Sequence, residues 1–167
     1  TSMVFPLSAM GSHVSAVPNH QLHRTTPLAT RGHVAMVGQF GYELDITKFT
    51  EEEAEAVKKQ IAEYKQVREI FHRGDFYRLK SPFEGEVTAW LSVSEDQSAA
   101  ALMVCTRLCR VQAPLCNVKL EGLCPAAQYK LGGTDEVYDG DYLMNVGLYF
   151  SIGQDFESKM LVFQKMS

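Results

Sequence analysis

The hydrophobic pattern changes period at Gly74, and this change constrains the fold more than any other feature of the sequence. Before it, Thr50 is followed three places later by Glu53, which gives the T-x-x-E capping box found at many helix starts. The apolar residues that follow recur every three or four positions: Ala54, Val57, Ile61, Tyr64, Val67 and Phe71. This spacing predicts one amphipathic helix that starts at Thr50 and ends at Gly74, with an apolar stripe buried against another element.

Beyond Gly74 the sequence consists of short runs rich in valine, leucine, tyrosine and phenylalanine, separated by turn signals such as Asp139-Gly140. We predict strands over residues 77–80, 87–93, 100–108, 117–121, 129–131, 143–149 and 159–165. Their spacing is typical of an antiparallel β-sandwich of about 90 residues. Trp90, the only tryptophan, lies among alternating apolar residues, which favours a core position over a sugar-stacking platform.

The first 46 residues contain apolar stretches that are interrupted by glycine, proline, serine and histidine. The pattern predicts two strands, over residues 3–7 and 13–17. Apolar and small residues between Pro27 and Val37 predict a short helix that is closed by Gly38.

Composition excludes several classes of function. The 167 residues are 46% hydrophobic and 22% charged, with a formal net charge of -4. This balance is typical of a soluble globular protein, and it provides no basic surface for nucleic acid or for an anionic membrane. No apolar run approaches the roughly 20 residues that cross a bilayer. We therefore expect neither nucleic acid nor a membrane as a partner.

The cysteines and histidines do not have the spacing of a metal site. None of the four cysteines belongs to a C-x-x-C pair: Cys105, Cys109, Cys116 and Cys124. Three histidines are clustered, but at irregular spacing: His13, His20 and His23. We therefore predict no metal, and we expect free thiols in a cytoplasmic protein, with disulfides as the alternative.

Residues 10–21, with the sequence MGSHVSAVPNHQ, resemble a signature region of the family 36 glycoside hydrolases that are α-galactosidases. The similarity continues through residues 40–45, FGYELD, and residues 74–79, GDFYRL. A weaker similarity extends to residues 143–148, LMNVGL. The resemblance thus covers nearly the whole chain, and its more specific motifs lie in the first half.

The resemblance implies a mixed fold that is part of a larger architecture. Members of this family have an amino-terminal β-sandwich, a central (β/α)8 barrel and a carboxy-terminal β domain. We expect residues 1–74 to form the end of the barrel, with its terminal strand and last helices. Residues 75–167 would then form the carboxy-terminal antiparallel β-sandwich domain.

The implied activity of the intact protein is hydrolysis of terminal α-linked galactose from oligosaccharides, with retention of configuration and without a cofactor. Such enzymes need a nucleophilic carboxylate and an acid/base carboxylate. In the family these are aspartates in a W-D motif and in a Gly-rich R-x-D motif, and this sequence contains no W-D dipeptide and no comparable Gly-rich R-x-D stretch. We therefore expect both catalytic residues to lie upstream of residue 1, and the 167-residue piece to be structural and inactive alone.

Two acidic residues of the chain could be mistaken for a catalytic pair. Glu43 and Asp45 are two positions apart, so an extended backbone would place them on one face. The resemblance implies a conformational role for both, remote from the chemistry.

The candidate substrate-proximal residues are His13, Asn19 and His20. In a barrel the loops after the strands face the active site, so the segment from His13 to Gln21 is the part of this chain expected nearest the substrate. A buried structural role is the alternative for each residue. Two arginines near this segment, Arg24 and Arg31, could anchor buried carboxylates or be solvated at the surface.

A second hypothesis belongs to a different class of function. The carboxy-terminal sandwich could be a non-catalytic carbohydrate-binding or interaction module, although its aromatic residues are scattered through predicted strands. Under the first hypothesis the partners are the α-galactoside, the remainder of the barrel or another copy of the chain, and a homo-oligomer is expected. Residues 1–46 would be ordered only where such a partner covers them, because isolated parallel strands leave their edges unpaired.

Overall fold

A computed structural model of the chain describes residues 2–112, 115–151 and 153–166. Its first part is a β-α-β unit, in which strand β1 (Gly11–Ser15) is followed by helix α1 (Leu28–Met36) and strand β2 (Gln39–Glu43). The two strands are parallel and pair in the register Gly11↔Gln39 to Ser15↔Glu43. The first part therefore contributes two neighbouring parallel strands that a helix connects.

Helix α2 (Glu51–Arg73) has the start and the end that its sequence predicts. Thr50 Oγ1 accepts a hydrogen bond from the Glu53 amide at 3.2 Å, and the Glu53 carboxylate accepts one from the Thr50 amide at 3.0 Å. At the other end the Gly74 amide donates to the carbonyl of Ile70 at 3.0 Å. The capping box thus satisfies two amides that would otherwise lack partners.

Among the described residues after Gly74, the chain is mainly antiparallel sheet, with one short helix. Its elements are β3 (Asp75–Lys80), β4 (Val87–Val93), β5 (Ala99–Thr106), β6 (Cys116–Val118), β7 (Gln128–Leu131), β8 (Val137–Asp139), α3 (Gly140–Asn145), β9 (Leu148–Phe150) and β10 (Ser158–Lys165). Six strands form one sheet in the order β3-β4-β5-β10-β7-β8, while β6 and β9 form a separate pair. The predicted antiparallel β domain is confirmed.

The six-stranded sheet has an apolar core on each face. Leu102 of β5 packs in a core that includes Phe150 of the small sheet, whereas Met103 packs in a second core with Phe71 of α2. Such alternation is expected, because successive side chains of a strand point to opposite faces. Trp90 is partly buried in the second core, so it packs against the helical layer.

Two of the predicted strands are wrong, one of them only in part. Residues 3–7 form turns that lead into a 3-10 helix (Leu7–Ala9), and the apolar side chain of Met3 is exposed. Within residues 143–149, helix α3 occupies the first positions and β9 starts only at Leu148, after a bend at Gly147 with φ +80°. A run of apolar residues as short as these fits either a strand or a helical turn.

Within the described ranges, no helix is long and apolar enough to cross a bilayer. Cys105, Cys116 and Cys124 are free thiols, and burial raises the pKa of Cys105 and of Cys116.

Candidate functional site

The two faces of the β1–β2 pair differ in chemistry. Val14 is fully buried on one face, whereas Gly11 and His13 on the other face are exposed. Side chains alternate along a strand, so His13 and Ser15 point to the same side, where Glu43 lies beside Ser15 in register. Ser15 and Glu43 are also the last residues of their strands, and barrel enzymes place their active sites at the carboxyl ends of the strands.

His13 and Glu43 form a pair on this polar face. His13 Nε2 lies 2.5 Å from Glu43 Oε2, with side-chain exposures of 49% and 72%. The pair joins the middle of β1 to the last residue of β2. A carboxylate that contacts one ring nitrogen fixes the orientation of the imidazole and leaves Nδ1 for another partner.

Asn19 organises the loop that follows β1. Its side-chain oxygen accepts hydrogen bonds from the amides of Gln21 and Leu22, both at 3.0 Å. Its own amide donates to the carbonyl of Arg24 at 2.9 Å, and its carbonyl accepts from His23 at 2.8 Å. The Asn19 amide side chain is thus engaged with the backbone of its own turn, as in Asx turns generally.

The three predicted substrate-proximal residues are only partly brought together. A cavity of about 310 Å³ between β1, the loop and α1 is lined by His13 and Asn19, and also by Ser12, Arg24 and Arg31. His20 is exposed and does not belong to this lining. The cavity therefore joins two of the three residues and offers hydroxyl, amide and guanidinium groups to a polar ligand.

Arg31 ties the two ends of the loop to each other. Its Nη1 donates to the Ser15 carbonyl at 2.6 Å and its Nε donates to the Thr26 carbonyl at 2.9 Å. Desolvation lowers the pKa of the Arg31 guanidinium, while Glu53 and Tyr42 act in the opposite direction. Arg31 hence holds backbone carbonyls, and neither of the two roles considered for it from sequence describes this arrangement.

Asp45 does not form a pair with Glu43. Its Oδ1 accepts from the amide of Thr47 at 3.0 Å and from the Thr47 hydroxyl at 2.6 Å, which starts a 3-10 helix (Ile46–Lys48). These hydrogen bonds from Thr47 lower the pKa of Asp45. The role of Asp45 in this structure is local capping.

Sequence reasoning missed Gln60, which is buried in α2 and connects three elements. Its Nε2 donates to the Leu28 carbonyl of α1 at 2.8 Å, and its Oε1 accepts from the Tyr42 hydroxyl of β2 at 2.9 Å. Burial raises the pKa of Tyr42 to about 12, although Arg31 opposes this shift. A polar residue between the apolar positions of a helix stripe was the available signal.

A second polar cluster that the sequence did not indicate joins α1 to β10. Thr30 Oγ1 donates to the carbonyl of Phe156 and lies 2.9 Å from Ser158 Oγ. His33 Nδ1 lies 2.8 Å from the same Ser158 hydroxyl, and its Nε2 lies 3.6 Å from Glu63 Oε2. The β-α-β unit is thus attached to the antiparallel sheet by polar contacts as well as by apolar packing.

Comparison with known families gives two matches that follow each other along the chain. The sequence profile described as Melibiase matches residues 1–74. The profile described as Glycosyl hydrolase family 36 C-terminal domain matches residues 87–163.

Curated relatives with similar sequences are α-galactosidases. The chain is 53% identical over 148 residues to alpha-galactosidase AgaA of Geobacillus stearothermophilus, which is 89% of this chain and 20% of that protein. It is 44% identical over 168 residues to alpha-galactosidase Mel36A of Lactobacillus acidophilus, which is 100% of this chain and 23% of that protein. The chain therefore spans about a fifth of the length of these relatives.

Solved structures agree with the sequence relatives. The crystal structure of the GH36 α-galactosidase AgaA from Geobacillus stearothermophilus superposes with a TM-score of 0.95 at 49% identity, over 99% of this chain and 23% of that chain. The galactosidase domain of AgaSK superposes with a TM-score of 0.96 at 38% identity, over the same shares of the two chains. Variants of AgaA have been solved in complex with raffinose and with stachyose. The chain belongs to glycoside hydrolase family 36, and it corresponds to the carboxy-terminal part of the α-galactosidases of that family.

Proposed function

We propose that the intact protein hydrolyses terminal α-linked galactose from oligosaccharides with retention of configuration, and that this chain is a structural part of it. The observation that carries the proposal is the superposition of nearly the whole chain on α-galactosidases at 49% identity. The raffinose and stachyose complexes of AgaA support an α-galactoside oligosaccharide as the substrate.

We further propose that both catalytic carboxylates lie outside residues 1–167. Two carboxylates about 5 to 5.5 Å apart are needed for retention. Strands β1 and β2 contain a single carboxylate, Glu43, and it is in contact with His13. Asp45, the nearest alternative in sequence, is held by Thr47. A catalytic pair within this part of the chain is therefore not supported.

In this proposal His13, Asn19 and His20 lie near the substrate. His13 is supported by its position on the polar face, and Asn19 by its position in the cavity lining. His20 is supported only by its exposure next to the turn. The contribution of Asn19 would be to shape the loop, because its side chain already binds two backbone amides.

The proposed division of the chain places the end of the barrel at residues 1–74 and the β domain at residues 75–167. The limits of the two matching family profiles support this boundary.

The exposed polar face of β1 and β2 would be covered by the remainder of the barrel, and a homo-oligomer stays a prediction. A cytoplasmic location is proposed from the free thiols of Cys105 and Cys116.

The proposal is tested by extending the chain upstream to the length of its relatives. The long protein should hydrolyse an aryl α-galactoside and raffinose, and proton NMR should show α-galactose as the first product. The 167-residue chain, purified separately, should release none. Activity of the short chain at a comparable rate would disprove the assignment of the carboxylates.

The alternative function, a carbohydrate-binding module, has one observation in its favour. Tyr138 and Tyr142 are stacked with ring centroids 6.1 Å apart, and Tyr142 is partly exposed. Calorimetric titration of the 167-residue chain with raffinose, beside a Tyr142→Ala variant, tests this alternative. Saturable binding that the variant loses would favour the module.

A further inference from the structure

We propose that Phe156, in the turn before β10, is a positioning residue that holds the loop after β1. The proposal deepens the site of the proposed function and rests on it, because that loop contains Asn19 and His20. It assigns to the β domain a role in ordering the substrate side of the barrel.

The first contact is between the Phe156 ring and Arg24. The guanidinium carbon of Arg24 lies 5.8 Å from the centre of the ring, within the range of a cation–π interaction. The Arg24 carbonyl accepts a hydrogen bond from the amide of Asn19 at 2.9 Å. The residue that meets the ring is therefore the same residue that closes the Asn19 turn.

The second contact fixes the backbone of Phe156 itself. Its carbonyl accepts a hydrogen bond from Thr30 Oγ1, and Thr30 is a buried residue of α1. Thr30 also lies 2.9 Å from the Ser158 hydroxyl. Because α1 and β10 both hold this position, the ring is presented to Arg24 from a rigid base.

The backbone of Phe156 adopts a conformation that phenylalanine rarely takes. Its φ is +56°, in the left-handed region that favours glycine or asparagine. The side chain is only partly buried, and neither apolar core of the described residues includes it. Core packing therefore does not explain a phenylalanine at this position, whereas the contact with Arg24 does.

The test uses the intact, upstream-extended enzyme and four single variants. Phe156→Ala removes the ring, and Phe156→Tyr keeps it. Arg24→Gln removes the cation instead of the ring. Because Arg24 is exposed, this variant provides the test if Phe156→Ala does not fold. Phe83→Ala is the matched control, since Phe83 is a β-domain phenylalanine that is 96% exposed at the turn after β3.

Hydrogen exchange of the loop is the first readout, and it does not depend on catalysis. The amides of Asn19 and His23, which are hydrogen-bonded within the turn, should exchange about two- to fivefold faster in Phe156→Ala and Arg24→Gln. Phe156→Tyr and Phe83→Ala should exchange like the parent. Unchanged exchange in folded Phe156→Ala or Arg24→Gln would overturn the proposal.

Kinetics with raffinose is the second readout. The KM should rise about two- to fivefold in Phe156→Ala, with kcat changed less, and the double variant with Arg24→Gln should add little to either single change. Equal KM in all variants, together with faster exchange, would overturn the role in substrate positioning. A parent enzyme without α-galactosidase activity would instead disprove the proposed function, and the exchange data would still decide whether Phe156 holds the loop.

Discussion

Glu43 Oε2 lies 2.5 Å from His13 Nε2, and this contact crosses between two parallel strands on their polar face. Glu43 is the last residue of β2, and His13 is in the middle of β1. The carboxylate thus holds an imidazole whose second ring nitrogen is left for another partner. Under the proposed function this places an oriented histidine near the α-galactoside without making it a catalytic group.

Replacing Glu43 by alanine should lower kcat/KM of the intact enzyme for raffinose by on the order of tenfold, because the imidazole of His13 loses its orientation. Glu43→Gln keeps a hydrogen-bond acceptor and should recover part of the loss. Asp45→Asn is the control, since Asp45 contacts Thr47 and Lys48 within its own turn. Full activity of Glu43→Ala would show that the pair is not needed.

Gly32→Ala should destabilise the chain by about 1 to 3 kcal/mol. A Cβ at Gly32 would lie 2.2 Å from Gln60 Nε2 and 2.5 Å from Gln60 Cδ. Gln60 would have to move away, and its bonds to Leu28 and Tyr42 would be lost. Gly41→Ala is a matched control, because a Cβ added at Gly41 would meet nothing within 4 Å among the described residues. Urea unfolding measures the stability of both variants, and equal unfolding midpoints for Gly32→Ala and Gly41→Ala would contradict the prediction.

Thr50→Ala should lower the free energy of unfolding by about 1 kcal/mol. The change removes the acceptor for the Glu53 amide at the start of α2 and breaks one half of the capping box. Lys59→Ala, at an exposed position of the same helix, should change stability by less than about 0.5 kcal/mol. The helical circular dichroism signal followed through urea unfolding compares the two variants.

The local signals of the chain predicted helices α1 and α2 better than its site, whereas the segment of α3 was predicted as a strand. The caps at Thr50 and Gly74 define α2 from within the sequence, and the alternating residues of β4 define its bounds of Val87 and Val93. Strand β2 was missed, because Gly41 interrupts its alternation and Gln39 and Glu43 are polar. This strand forms by pairing with β1, and no pattern within the segment itself indicates that pairing.

The contacts that define the candidate site are long-range. His13 was predicted from its place in the motif, but its partner Glu43 depends on the register of two strands that a helix separates. The contact of Arg24 with Phe156 joins a barrel loop to the far end of the chain. Such contacts follow from the packing of α1 on the sheet, so they become visible only when the tertiary structure is known.

The stability of the chain at high pH should depend on Tyr42, whose hydroxyl donates a hydrogen bond to Gln60 Oε1. Burial raises the pKa of Tyr42 to about 12 in the folded state, whereas an unfolded tyrosine titrates near 10. Between these values the unfolded chain has lost the proton that the folded chain retains, so the free energy of unfolding falls as the pH rises.

Tyr42→Phe removes both the titration and the hydrogen bond. At pH 8 the variant should be less stable than the parent by about 1 kcal/mol, because Gln60 loses a donor. From pH 10 upward this difference should shrink, since only the parent is weakened by the titration of residue 42. Tyr149→Phe, at a position that is 60% exposed, should follow the parent at every pH. Urea unfolding between pH 8 and pH 11 measures the difference, and a gap that stays constant over this interval would contradict the raised pKa of Tyr42.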